Sequence, residues 1–131
     1  VNMKMKIASL VSTAVIALST SVVFAHGEHR QDVDLLEHQS NATSKYLNVH
    51  GQSRQLIVTI NNQSQGHEEI RYNVLQADRY GNTKVVSNGY ISPNGNKSVH
   101  KYVEEGDYAL QLICQSKLGC NATGSIGFFG E

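Results

Sequence analysis

From residue 45 onward, apolar residues recur at every second position in short runs. Leu56/Val58/Ile60, Ile70/Tyr72/Val74 and Tyr108/Leu110/Leu112/Cys114 each alternate with mainly polar neighbours. Successive side chains of an extended chain point to opposite sides, so a period of two puts each set on one face of a strand. Seven segments read as strands: "KYLNVH", "RQLIVTINN", "EEIRYNVLQAD", "TKVVSNGYIS", "KSVHKYV", "DYALQLICQ" and "ATGSIGFF". Between them, "DRYGN", "SPNGN" and "EEGD" carry Gly or Asn, residues that accept positive φ in turns. No segment has a convincing amphipathic-helix period. The expectation is an all-β fold, a small antiparallel β-sandwich of about seven strands over residues 45–131.

The preceding sequence behaves differently. Residues 1–25 open with Lys4 and Lys6, continue through a mainly apolar run from Ile7 to Leu18, and end in Val23-Phe24-Ala25. A basic start, an apolar run of about a dozen residues and a small-residue end form a secretory signal peptide, with cleavage expected at Ala25–His26. The run is shorter than the roughly 20 residues that span a bilayer. No Cys for lipid attachment follows it, so no stable membrane anchor is expected and the mature chain should be secreted or periplasmic. The Lys-rich start and Ser/Thr-rich end are bacterial in style. Residues 26–44 hold one small apolar cluster, "VDLLEHQ", and a turn-like "SNATS". They read as an extended arm, with room for one short strand or helical turn, less ordered than the rest.

Removal of residues 1–25 leaves nine Lys/Arg against eleven Asp/Glu, a formal charge of −2. No basic run or patch is apparent, which argues against nucleic acid as a partner. Catalytic signatures are weak. "EEGD" (Glu104, Glu105, Asp107) and "HEE" (His67, Glu68, Glu69) gather acids near turns, where carboxylates usually face solvent. There is no G-x-S-x-G and no H-E-x-x-H. The expectation is that the protein is not an enzyme. Asn41, Asn62, Asn96 and Asn121 head N-x-S/T triplets, which an Asn/Ser-rich composition also produces by chance.

Two groups of residues could bind something. If cleavage exposes His26, its α-amine and imidazole Nδ1 can chelate Cu(II), and a second imidazole from the fold would extend the tetragonal nitrogen set this ion favours. His67 and His100 border predicted strands and are the candidate partners; His29 and His50 are further donors. This N-terminal His resembles that of copper-dependent polysaccharide monooxygenases and of small periplasmic copper carriers. The resemblance implies a β-sandwich or barrel and a Cu(II) cofactor. Read without it, "HGEHR" is a solvated arm. The second group is aromatic. Of six Tyr, Tyr80 in "DRYGN" and Tyr90 in "NGYIS" are expected to be most exposed, and a flat ring can stack on a sugar.

The leading expectation is a secreted, non-enzymatic binding or interaction module that recognises a surface, matrix component, extracellular protein or glycan. A copper-binding protein using His26 and a small secreted toxin or enzyme inhibitor stand as alternatives. Cys114 and Cys120, spaced "CQSKLGC", complete the picture. Their spacing is neither the two-residue gap of a thioredoxin-like site nor part of a second Cys/His pair for zinc. In an exported chain the pair reads as one disulfide, contributing about 2–2.5 kcal/mol by loop closure. Thiol titration of the denatured, unreduced protein is expected to find no free thiol; two titratable thiols would contradict the pairing.

Overall fold

The computed structural model describes residues 29–51, 54–64 and 69–128. Nine strands and no helix occur among them: β1 (Arg30–Leu35), β2 (Asn41–Thr43), β3 (Leu47–Val49), β4 (Gln55–Asn62), β5 (Ile70–Ala77), β6 (Thr83–Ile91), β7 (Asn96–Tyr102), β8 (Gly106–Cys114) and β9 (Ala122–Phe128). The last seven fall on the seven alternating runs of the sequence. One sheet has the order β1-β9-β4-β7; the other has β2-β8-β5-β6, with β3 also pairing β8. All pairings are antiparallel. The chain passes back and forth between the sheets, which gives the interleaved order of a jelly-roll β-sandwich.

The alternation explains the core. Leu56, Val58 and Ile60 of β4 and Ile126 and Phe128 of β9 face inward from one sheet. Ile70, Tyr72 and Val74 of β5 and Tyr108, Leu110 and Leu112 of β8 meet them from the other. Each large side chain so buried contributes roughly 1.5–3 kcal/mol. Gly124 lies at a close approach between the sheets, since a Cβ there would lie 2.8 Å from Leu110 Cδ2. The turn residues behave as their chemistry suggests: Gly81 has φ 87° and Asn94 has φ 60°. The disulfide Cys114–Cys120 is formed at the end of β8.

The segment expected as an arm, residues 26–44, is paired into both sheets in its described part. β1 pairs with β9 along its whole length, and β2 pairs with β8. Val33 and Leu35 alternate inward and are buried, while Asp32 and Asp34 face out. Two apolar residues are enough because β9 supplies the ladder hydrogen bonds and would otherwise be an open edge. β2 and β3 are one interrupted strand. Between Thr43↔Gln111 and Leu47↔Tyr108 the β2–β3 side has one residue more than β8, a bulge. There the Ser44 N–H donates to the Leu110 carbonyl (2.9 Å), and the Leu110 N–H donates to Ser44 Oγ (3.0 Å). A side-chain oxygen thus replaces a ladder carbonyl.

Two further side chains, Tyr108 and Asn62, brace the ends of strands. Tyr108 Oη donates to the Glu104 carbonyl at 2.7 Å, the arrangement of a tyrosine corner. Burial pushes the Tyr108 phenol up, and the Glu104 charge adds to this. Asn62, fully buried at the end of β4, donates through Nδ2 to the carbonyls of Ile91 (3.0 Å) and Ser92 (3.1 Å). Its Oδ1 accepts the Ser64 N–H at 3.0 Å. Asn62→Ala would strand these groups in the interior. It is expected to lower stability by about 2–4 kcal/mol in denaturant unfolding; a change under about 0.5 kcal/mol would contradict the role assigned to this amide.

Candidate functional site

Residues opposite one another in an antiparallel pair share a face, so the register maps the outer surface of the β2-β8-β5-β6 sheet. Its first row is Asn41–Ile113–Arg71–Tyr90. The second is Thr43–Gln111–Asn73–Asn88. Ala109–Leu75–Val85 and Asn48–Asp107–Ala77–Thr83 follow. Among the described residues no third layer covers this face. It combines an apolar strip, a row of amides and hydroxyl, and a corner holding one aromatic ring and one guanidinium.

The amide row is the most distinctive part. Asn73 Nδ2 donates to Gln111 Oε1 at 3.0 Å. Asn73 is only 7% exposed, and its Oδ1 has no hydrogen-bond partner. A buried, unpaired carbonyl costs roughly 1–3 kcal/mol. Asn88 stands directly opposite on β6 and is exposed. Tyr90, two residues on, is 54% exposed. It shares the outer face with its register partner Arg71, while Gly89, between Asn88 and Tyr90, falls on the inner phase, where the Tyr72 ring fills the space a Cβ would need (2.8 Å to Cε1).

The sequence candidates are distributed unevenly. Tyr80 is 79% exposed at the β5–β6 hairpin tip, with the Arg79 guanidinium 5.9 Å from its ring centroid. The length of β6 separates it from Tyr90, roughly 20–25 Å, so the two tyrosines do not form one platform. His100 lies on the outer face of the other sheet in the row Arg30–Gly127–Ile57–His100, about 14 Å from β1 by strand spacing. His26 and His67 lie outside the described residues. No three metal-ligating side chains converge among the described residues.

The turn acids have structural partners. Asp107 Oδ1 accepts from Asn48 Nδ2 at 2.9 Å, and Glu105 Oε2 accepts the Gly51 N–H at 3.3 Å. Of the four triplet asparagines, Asn62 is fully buried and closed to modification in the folded state, whereas Asn41, Asn96 and Asn121 are exposed. A groove of about 350 Å³ runs between the edge strands β6 and β7, lined by Gln76, Lys84, Val86, Tyr102 and Tyr108 among others. Sequence reasoning missed Arg71, Asn73, Asn88 and Gln111 as a group. The polar phase of β5, β6 and β8 held the signal, but the strand order that unites those residues is not written locally.

No family model matches the chain, and no curated protein matches it. Solved structures do. The chain is similar to PirA with TM-score 0.52 at 10% identity, over 82% of this chain and 99% of that one. It is also similar to a Sulfurospirillum deleyianum protein, with TM-score 0.49 at 8% identity over 80% of this chain and 100% of that one. A further likeness is to the Clostridium thermocellum endo-1,4-β-D-xylanase 10B modules, with TM-score 0.45 at 10% identity over 79% of this chain and 26% of that one. The likeness to PirA shows a shared β-sandwich fold.

The hairpin beside Tyr80 is closed by a carboxylate. Asp78 Oδ1 accepts the N–H groups of Tyr80 (2.8 Å) and Asn82 (2.9 Å). The Asn82 amide bond leads the causes that hold the Asp78 carboxyl below its ordinary value. A lowered folded-state value means the carboxylate's support is complete above about pH 3.9 and is lost as pH falls through the folded value. An NMR titration is expected to place the Asp78 midpoint below 3.9, with the Tyr80 and Asn82 amide shifts following it. A midpoint at or above that figure would contradict the loop geometry.

Proposed function

We propose that this is a secreted, non-catalytic β-sandwich module that binds a neutral glycan chain across the open face of the β2-β8-β5-β6 sheet. The observation that carries this reading is the row Thr43–Gln111–Asn73–Asn88. Amides and hydroxyls both donate and accept, so a row of them matches the hydroxyls of a sugar without needing charge. Ala109, Leu75 and Val85 beside the row suit the apolar face of a pyranose ring, and Tyr90 supplies a flat stacking surface. Arg71 adds donors next to that ring. The carbonyl of Asn73 lacks a donor, and a small shift of Asn88 on ligand contact would bring one, from the amide or from a sugar hydroxyl. The sites lie on paired strands rather than loops, which favours a preformed surface.

Isothermal titration against a panel of soluble neutral polysaccharides tests this reading. Binding is expected to at least one, with Tyr90→Ala and Asn88→Ala each weakening it about tenfold or more and Tyr80→Ala leaving it nearly unchanged. Absence of binding across the panel, or equal affinity in the Tyr90 and Asn88 variants, would contradict the assignment.

A further inference from the structure

A second group of side chains lies at one end of the sandwich, independent of the glycan face. His29 immediately precedes β1, and its carbonyl accepts the Phe128 N–H at 3.0 Å. Its ring lies over the Phe128 ring, with centroids 4.6 Å apart and planes at 37°. His50 immediately follows β3. Its ring stands edge-on to Phe128, with centroids 5.5 Å apart at 76°. The two imidazoles meet edge to face, with centroids 5.8 Å apart and planes at 90°. Phe128 is fully buried, so the two rings roof it from outside.

We infer that His29 and His50 form a two-imidazole seat for a divalent transition metal ion, with Cu(II) the preferred occupant. Metal–nitrogen bonds of about 2.0–2.1 Å place two cis imidazole centroids roughly 4.5–5.5 Å apart. The observed 5.8 Å is within a small side-chain rotation of that range. The backbone on both sides is fixed: β1 by its ladder to β9 and the His29–Phe128 bond, the chain after β3 by the Gly51–Glu105 bond. Contact with Phe128 limits ring rotation. Holding the rings in advance lowers the ordering cost of chelation. Imidazole pairs rank Cu(II) above the other first-row divalent ions. The protein supplies two donors here, and solvent or a ligand fills the remaining positions. This seat joins two of the further donors named from the sequence, His29 and His50, and is separate from the chelate expected at His26.

The test uses the full chain without a histidine tag. Cu(II) titration followed by NMR is expected to broaden the Phe128 ring resonances first, at one equivalent. His29→Ala and His50→Ala are each expected to weaken this binding about tenfold or more, and His100→Ala to leave it unchanged. A purely packing role for the pair would produce no localised broadening. If Phe128 is unaffected at one equivalent, or if both variants bind as the unaltered chain does, the inference is overturned. Should either variant fail to fold, the broadening in the unaltered chain decides alone.

Discussion

A jelly roll leaves buried backbone without ladder partners where its chain turns from one sheet to the other, and the Asn62 side chain meets that requirement here. Inward-facing at the end of β4, it would by position be an apolar core residue. Instead it bonds the carbonyls of Ile91 and Ser92, where β6 gives way to the turn into β7, and it holds the Ser64 N–H. Its own N–H donates to the Gly95 carbonyl. One amide thus fixes the end of β4 against the whole β6–β7 turn. Removing it leaves several polar groups unsatisfied at once, which is why its loss outweighs that of a typical hydrogen bond.

The face proposed to bind glycan depends on this clamp. Ile91 adjoins Tyr90, so fixing the Ile91 carbonyl sets the edge strand that carries both Tyr90 and Asn88. The inner strands of the same sheet are held separately. Ser44 replaces a ladder carbonyl opposite Leu110, and the Cys114–Cys120 disulfide closes the chain just beyond Ile113. β6 also carries a bulge: its register with β5 slips between Val74 and Leu75, leaving Val86 without a direct partner. A bulge on an edge strand increases local twist and discourages pairing with another sheet.

The sheets were more legible in the sequence than the site. Alternation alone marked Leu56/Val58/Ile60 and Tyr108/Leu110/Leu112/Cys114, because burying one face of a strand imposes a period of two. β1 was anticipated only as one short strand or helical turn within the arm, because six residues with two inward apolar side chains carry too little period to place a strand. The interruption of β2 and β3 at Ser44 hid a strand in the same way. Asn62 was seen only as a possible glycosylation triplet, since nothing local distinguishes a buried Asn from an exposed one. Tyr90 was named for its expected exposure and, although Tyr102 is more exposed, does lie on an open face. Its neighbours Arg71, Asn73, Asn88 and Gln111 come from three strands, and only the strand order assembles them. The meeting of His29 with His50 likewise depends on the end of β9, where Phe128 contacts both rings.

The central claim is that glycan recognition belongs to the amide row and the Tyr90 corner of one sheet. Chemical-shift mapping of side-chain amides during titration with a bound polysaccharide fragment addresses it directly. The expected result is that the Asn73, Asn88 and Gln111 amide resonances and the Tyr90 ring shift together and saturate together. Shifts confined instead to Ser98 and His100 on the opposite sheet, or to Lys84 and Tyr102 in the groove between β6 and β7, would contradict it.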